Sequence, residues 1–109
     1  MSDPVWILGI DMTRFGKHPD EDLVDLGSAA TLGALGDAGV GISDVQVMAA
    51  GSLLQAGAGV GQQIQKQVGQ TGIPVFNVAN ACATGATALR TAILAIKAGE
   101  ADVGLAVGV

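Results

Sequence analysis

The chain has 109 residues, half of them hydrophobic and only 14 % charged, so it is long enough for one small folded domain and too apolar for a disordered tail. Its net charge of −5, with five scattered Lys and Arg residues, argues against nucleic acid as a partner. No apolar run reaches the length of a membrane span, and the N-terminus lacks a signal-peptide pattern, so we expect a cytoplasmic protein.

The N-terminal third predicts a strand followed by a helix. Residues 5–10 form a short β-branched run that predicts a strand, and the Gly and Pro of a loop follow it. Apolar residues then recur at helical spacing over residues 21–38, and Gly39 is a stop signal. Asp20, Glu21, Asp22 and Asp25 cluster at the start of this helix, where acidic residues complement the helix dipole, so they predict helix capping.

The middle of the chain predicts a second strand and a second helix. Residues 45–54 indicate a strand that runs into a glycine-rich loop, and residues 62–70 indicate a helix whose apolar face contains Ile64 and Val68. The loop segment 57–62 resembles a dinucleotide fingerprint only superficially, because Gln62 occupies the place of the last glycine. Nucleotide binding is therefore not predicted.

The last third completes an alternating pattern. Residues 75–78 predict a third strand, Asn80 is a suitable N-cap for a helix that continues to about residue 98, and residues 103–109 predict a fourth strand. The fold class is therefore α/β, a β-α-β-α-β-α-β order with a mostly parallel sheet. The third helix is apolar on every face, so it requires a second covering layer. We expect residues 1–109 either to be the first part of a larger domain, with the rest of the fold absent, or to be covered by a partner.

A single cysteine, Cys82, stands at the junction between the third strand and this apolar helix. A lone cysteine forms no intrachain disulfide, and it is either a small core residue or a reactive thiol. The positive end of the helix dipole stabilises a thiolate at this position, and its small neighbours leave room for a carbonyl group. Its own N–H could donate to an oxyanion. Asn80 could also fix the loop around the cysteine, and Asn77 could hold a neighbouring chain segment.

Three segments, in the same order along the chain, resemble those of thiolases. Residues 75–89, Val-Phe-Asn-Val-Ala-Asn-Ala-Cys-Ala-Thr-Gly-Ala-Thr-Ala-Leu, are similar to the thiolase nucleophile motif, with Asn80, Cys82 and Gly85 at its marked positions. Residues 51–64 resemble the segment that leads from the second strand into a helix, and residues 9–17 the opening strand and loop. The cysteine motif alone would also fit ketoacyl synthases. The combination is most similar to thiolases of the sterol-carrier-protein type.

The resemblance implies a five-layered fold of two similar halves and acyl transfer through Cys82, which would carry the acyl group as a thioester, supported by Asn80 and Gly85. It implies coenzyme A as cosubstrate, with no metal and no tightly bound cofactor. It also implies an acyl-CoA substrate, a homodimer or homotetramer, and in some members a small acyl-CoA-binding partner protein. The family's coenzyme A loop, catalytic His and second acid/base residue would all follow the last residue of this chain, so residues 1–109 alone should be inactive.

Two other functions fit the same residues. The first is a retro-aldolase of the thiolase fold that acts on acyl-CoA side chains, for which Cys82 would matter less. The second is a non-catalytic fragment that binds acyl groups or lipids.

Overall fold

The computed structural model describes residues 3–109, which form three helices around a three-stranded sheet. The helices are α1 (Leu23–Ala38), α2 (Val60–Val68) and α3 (Thr84–Lys97). The strands are β1 (Val47–Gly51), β2 (Val75–Val78) and β3 (Gly104–Gly108), and they are all parallel in the order β2-β1-β3. The α/β class and the parallel sheet are therefore confirmed. Within the described range, no helix is long and apolar enough to cross a membrane.

The sheet is covered on both faces, because successive residues of a strand point to opposite sides. Met48 and Ala50 of the central strand β1 are fully buried in a cluster with α1 and with Ile64 of α2. Ala49, which lies between them, packs on the other face against Ala88 of α3. The molecule thus has a layer of two helices, the sheet, and a layer formed by α3. The α3 face is built from alanines, so the helix lies close to the strands.

The first helix begins and ends at the predicted signals. Asp22 is its N-cap: the Asp22 carboxylate accepts a hydrogen bond from the Asp25 N–H at 2.8 Å, and the Asp25 carboxylate accepts one from the Asp22 N–H at 3.1 Å. This backbone hydrogen bond from Asp22 lowers the pKa of Asp25. Gly39 ends the helix with a left-handed φ of 72°. The acidic cluster is therefore used for helix capping, as predicted.

Residues 5–10 do not form the predicted first strand, and that prediction is wrong. The segment is not paired with any strand; its Ile10 N–H donates to the Asp37 carboxylate at 2.9 Å, and Gly9 packs against the backbone of α1 so closely that a Cβ would clash there. A strand requires a neighbouring strand edge to bond its backbone groups. The residues have strand propensity, but no strand edge bonds their backbone groups in the structure.

An open cavity of about 750 Å³ separates the N-terminal segment from the free edge of β3. It is lined by residues 5–13 and Phe15, by β3 and by apolar side chains of α1 and α3. The side chain of Trp6 is 76 % exposed beside it, and that of Phe15 85 %. The N-terminal segment therefore presents an unusually apolar surface for so small a domain.

The outer face of α3 also presents apolar side chains to solvent. Ala88 and Ala92 are buried against the sheet, whereas Leu89 is 42 % exposed and Leu94 51 % exposed. A helix that is apolar on both its inner and outer faces is normally covered by a second layer. That further structure lies above α3 therefore stays a prediction.

We expect residues 1–109, expressed alone, to associate in solution and to lack thiolysis activity. The two apolar surfaces, around Trp6 and around Leu94, would be buried by self-association. The measurement is sedimentation velocity over a concentration series, together with a thiolysis assay on acetoacetyl-CoA. A compact monomer with a cooperative thermal transition would contradict the first expectation, and turnover would contradict the second.

Candidate active site

The candidate nucleophile lies on the turn that joins β2 to α3. β2 ends at Val78 and α3 begins at Thr84, so Cys82 lies two residues before the helix. The sequence had predicted that Cys82 lies in the first turn of this helix, and that placement is wrong. Its side chain is exposed. The helix N-cap is Ala83, which makes no side-chain hydrogen bond, so the prediction of Asn80 as N-cap is wrong. The difference arises because the chain makes an additional tight turn before it enters the helix.

This turn, residues 80–83, will be called the cysteine turn. Ala81 has a φ of 46°, and it is the only residue other than glycine with a positive φ in the described part of the chain. The Ala83 N–H donates to the Asn80 carbonyl at 2.9 Å, and the Thr84 N–H donates to the Ala81 carbonyl at 3.3 Å. A left-handed alanine is unfavourable and persists only where its surroundings hold it. The strained residue of the cysteine turn, Ala81, therefore lies directly before Cys82.

Two side chains hold the cysteine turn. The buried Thr84 hydroxyl accepts a hydrogen bond from the Asn80 N–H and donates one to the Ala81 carbonyl, both at 2.7 Å. The Asn80 amide Nδ2 donates to the Thr87 hydroxyl at 3.0 Å. Asn80 therefore contacts the first turn of α3 from the outside, in keeping with the second role expected for it. Sequence reasoning missed Thr84, although a threonine that follows a turn by a few residues is a known signal of local side-chain to backbone bonding.

The start of α3 rests directly on the carboxyl ends of two strands. A Cβ added to Gly51, the last residue of β1, would lie 2.7 Å from the Thr84 carbonyl oxygen. A Cβ added to Gly108, the last residue of β3, would lie 3.1 Å from the Cα of Gly85. A Cβ on Gly85 itself would meet open space. The glycines on the strands thus permit the close approach, whereas Gly85 leaves free volume beside Cys82.

Cys82 lies where two neighbouring strands send their connections to opposite faces of the sheet. After β1 the chain continues to α2 on one face, and after β2 it continues through the cysteine turn to α3 on the other. Such divergence opens a crevice at the carboxyl edge of a parallel sheet, which is the usual ligand site in α/β proteins. An exposed thiol at this edge can be approached by a substrate carbonyl.

Asn77 of β2 is hydrogen-bonded to the start of α2. The Asn77 Oδ1 accepts a hydrogen bond from the Gly61 N–H at 2.7 Å, and its Nδ2 donates to the Gln62 Oε1 at 2.6 Å. These bonds tie the start of α2 to β2, so the structure agrees with the expectation that Asn77 holds a neighbouring segment. Residues 3–109 contain no cluster of three or more His, Cys, Asp or Glu side chains that could hold a metal ion.

Comparison with solved structures first defines the class of fold. The priming β-ketosynthase from the R1128 polyketide pathway is 26 % identical, with a TM-score of 0.69 over 77 % of this chain and 26 % of that one. The 3-oxoacyl-[acyl-carrier-protein] synthase III from Aquifex aeolicus is 22 % identical, with a TM-score of 0.68 over 75 % and 27 % of the respective chains. The parallel sheet with its β2–turn–α3 unit thus has the fold of the ketoacyl synthases and their structural relatives.

The family follows from the sequence comparison. Residues 5–109 match the family described as thiolase, N-terminal domain, and the chain belongs to this family. It is 40 % identical to non-specific lipid-transfer protein-like 2 of Caenorhabditis elegans, over 95 % of this chain and 26 % of that protein. It is 37 % identical to acetyl-CoA acetyltransferase of Methanothermobacter thermautotrophicus, over 96 % and 28 % respectively, and 39 % identical to sterol carrier protein 2 of Gallus gallus, over 99 % and 20 %. The chain therefore spans about a quarter of the length of these relatives.

Proposed function

We propose that the full-length protein containing this chain transfers acyl groups to and from coenzyme A, with Cys82 as the residue that carries the acyl group. The observation that carries the proposal is the position of Cys82: an exposed thiol on a strained turn, at the carboxyl edge of a parallel sheet and directly before a helix. Strained backbone next to a nucleophile is typical of sites where the side chain must be presented in one orientation.

The proposed reaction proceeds in two steps. In the degradative direction, the Cys82 thiolate attacks the 3-keto carbon of a 3-ketoacyl-CoA, and the bond between C2 and C3 breaks. The acetyl-CoA carbanion that leaves takes up a proton from an acid supplied by the rest of the full-length protein. A base in the rest of the full-length protein then takes the proton of the thiol of free coenzyme A, and the resulting coenzyme A thiolate attacks the thioester. The acyl group leaves as acyl-CoA, and the cysteine thiolate is regenerated. The same steps in reverse join two acyl groups.

The first turn of α3 would supply electrostatic stabilisation in both steps. The amide N–H groups at a helix start carry partial positive charge, which favours a thiolate and a developing oxyanion. Within the cysteine turn, the N–H groups of Ala83 and Thr84 are already bonded to Asn80 and Ala81. The Cys82 N–H is therefore the group we assign to the oxyanion. Gly85, where a side chain would point into open space, leaves volume for the substrate.

The test is to trap the acyl-enzyme. The full-length protein is mixed with acetoacetyl-CoA, quenched in acid and digested, and the peptide containing Cys82 should carry one added acetyl group by mass spectrometry. Addition of free coenzyme A before the quench should remove that group. The matched control is protein alkylated with iodoacetamide at Cys82, which should remain unacetylated. Consumption of acetoacetyl-CoA without a label on Cys82 would contradict the proposal.

The partners and setting follow from the same proposal. We assign an acyl-CoA substrate, coenzyme A as cosubstrate without a tightly bound cofactor or metal, a homodimer or homotetramer, a cytoplasmic location and, as in some members of the family, a small acyl-CoA-binding partner. Family membership and the name acetyl-CoA acetyltransferase among the relatives support the substrate class.

A second candidate is lipid or acyl binding without chemistry, and it is favoured by relatives named for lipid transfer and sterol carriage. A third, a retro-aldolase of the same fold, would cleave an acyl-CoA side chain without an acyl group on Cys82. The trapping experiment separates the three when it is run in parallel with acetoacetyl-CoA and with a hydroxyacyl-CoA, the substrate class that a retro-aldolase cleaves. Binding alone gives no product, a retro-aldolase gives product without a label on the thiol, and acyl transfer gives both product and label.

A further inference from the structure

We propose that Thr84 is a positioning residue for Cys82, acting by holding the cysteine turn in its left-handed conformation. The proposal deepens the acyl-transfer function proposed above and rests on it. Thr84 itself is not assigned contact with the substrate. The residue is buried, with 7 % of its surface exposed, and its hydroxyl makes two hydrogen bonds to the backbone of the turn.

The two bonds of the Thr84 hydroxyl reach both sides of the strained residue. The Asn80 N–H, before Ala81, donates to Oγ1 at 2.7 Å, and Oγ1 donates to the carbonyl of Ala81 itself at 2.7 Å. One oxygen thus binds the peptide group before Asn80 and the peptide group after Ala81, and these two bonds bracket the residue with a φ of 46°. The next residue is Cys82, so this conformation sets the direction in which its thiol is presented.

In the described part of the chain, Thr84 is the only residue whose side chain bonds the Asn80 N–H and the Ala81 carbonyl, and the other side-chain bond of the turn runs from the Asn80 amide to Thr87. The Ala83 and Thr84 N–H groups bond only the carbonyls of Asn80 and Ala81, which is the pattern of an ordinary turn. Without the hydroxyl, the Asn80 N–H would lose its partner in a partly buried place, and the left-handed alanine would lose the constraint that opposes its relaxation. Relaxation of Ala81 to the right-handed region would rotate the chain at Cys82.

The shape of Thr84 can be separated from its hydrogen bonds. Its Cγ2 and carbonyl oxygen lie near Gly51, so the side chain also fills space at the end of β1. Thr84→Val keeps this shape and removes the hydroxyl, whereas Thr84→Ser keeps the hydroxyl and removes the methyl group. The matched control is Thr91→Val: the Thr91 hydroxyl donates to the Thr87 carbonyl at 2.8 Å, a similar bond on the same helix that does not reach the cysteine turn.

The experiment compares these variants in the full-length protein. The rate of Cys82 acetylation by acetoacetyl-CoA should fall about 10- to 100-fold in Thr84→Val, as expected when a reacting group is misplaced, with KM for acetoacetyl-CoA changed less than kcat. Thr84→Ser should stay within about threefold of the wild type and Thr91→Val within about twofold, since both leave the hydroxyl bonds of the turn in place. In the double variant Ala81→Gly/Thr84→Val, glycine adopts the left-handed turn unaided, and we expect at least part of the lost rate to return.

The outcomes divide as follows. Equal rates in Thr84→Val and wild type, or equal losses in Thr84→Val and Thr91→Val, would overturn the positioning role while leaving the acyl-enzyme intact. If the wild-type protein forms no acyl-enzyme, the proposed function fails separately, and the rates of Cys82 alkylation by iodoacetamide in the same variants then decide on positioning by the same criteria. If Thr84→Val does not fold, the double variant replaces it: a folded double variant with an acylation rate above one tenth of wild type supports the proposal, and an unfolded or slower one overturns it.

Discussion

Replacing Cys82 by alanine in the full-length protein should abolish acyl-enzyme formation and lower thiolysis by about 10⁴-fold or more, because the proposed mechanism places the acyl group on this thiol. The fold should be unaffected. Cys82 is exposed on a turn whose neighbours are alanines, so the loss of one sulfur atom leaves no buried cavity. The measurement is kcat for acetoacetyl-CoA thiolysis, with thermal melting of both proteins as the control for folding.

A second variant, Cys82→Ser, tests whether a hydroxyl can replace the thiol. Cys82→Ser keeps a nucleophilic atom of similar size, but its hydroxyl is not ionised at neutral pH, so we expect an activity close to that of the alanine variant. Thiolysis retained by Cys82→Ala would exclude the cysteine as nucleophile. If the wild type and Cys82→Ala both lack thiolysis but both cleave a hydroxyacyl-CoA, the result would instead favour the retro-aldolase.

The second large effect is expected from Gly51→Ala. The added Cβ would lie 2.7 Å from the Thr84 carbonyl oxygen and 2.8 Å from its Cγ2, and the first of these atoms is backbone. The start of α3 must therefore move away from β1. We expect the free energy of unfolding to fall by about 1–3 kcal/mol, the usual cost of overpacking, and Cys82 acylation to slow by about 10-fold or more because the cysteine turn moves with the helix.

Gly36→Ala is the matched control for this substitution. Gly36 lies on the exposed side of α1, and a Cβ there would have no neighbour within 4 Å. Alanine is the better helix former, so this variant should gain about 0.5–1 kcal/mol and keep its acylation rate. Both values come from chemical denaturation of the full-length protein. A Gly51→Ala variant as stable and active as the wild type would show that α3 does not depend on close contact with the end of β1.

The sequence predicted those elements whose partners are local or already present. The caps of α1 depend on Asp22, Asp25 and Gly39, which are adjacent to the helix, and all were recognisable. β2 was predicted at its observed bounds, and β1 and β3 at their cores, because each is a short apolar run between turn signals. The second helix begins at Val60, two residues earlier than predicted, since Gly59 adopts a left-handed conformation and starts it.

The predictions that the structure contradicts have a different cause. Residues 5–10 have the composition of a strand, but strand formation depends on a neighbouring edge that composition does not reveal. Asn80 was a good N-cap by residue type, yet the left-handed Ala81 delays the helix until Thr84. The contact of Gly51 with Thr84 joins residues far apart in the chain, so no local pattern could indicate it. Cys82 was predicted to be the nucleophile because its motif and its position before a helix both indicate that role, and the assignment stays a prediction.

The close packing of α3 on glycine and alanine limits which substitutions the site can accept during evolution. Ala49, Ala88 and Ala92 are the smallest chiral residues, so any substitution other than glycine enlarges them and pushes α3 away from the sheet. The loop after β1, with Leu53 60 % and Leu54 83 % exposed, meets no such limit. Single substitutions can therefore accumulate in that loop without moving α3, whereas larger side chains between α3 and the sheet require a compensating change in the residue that they contact.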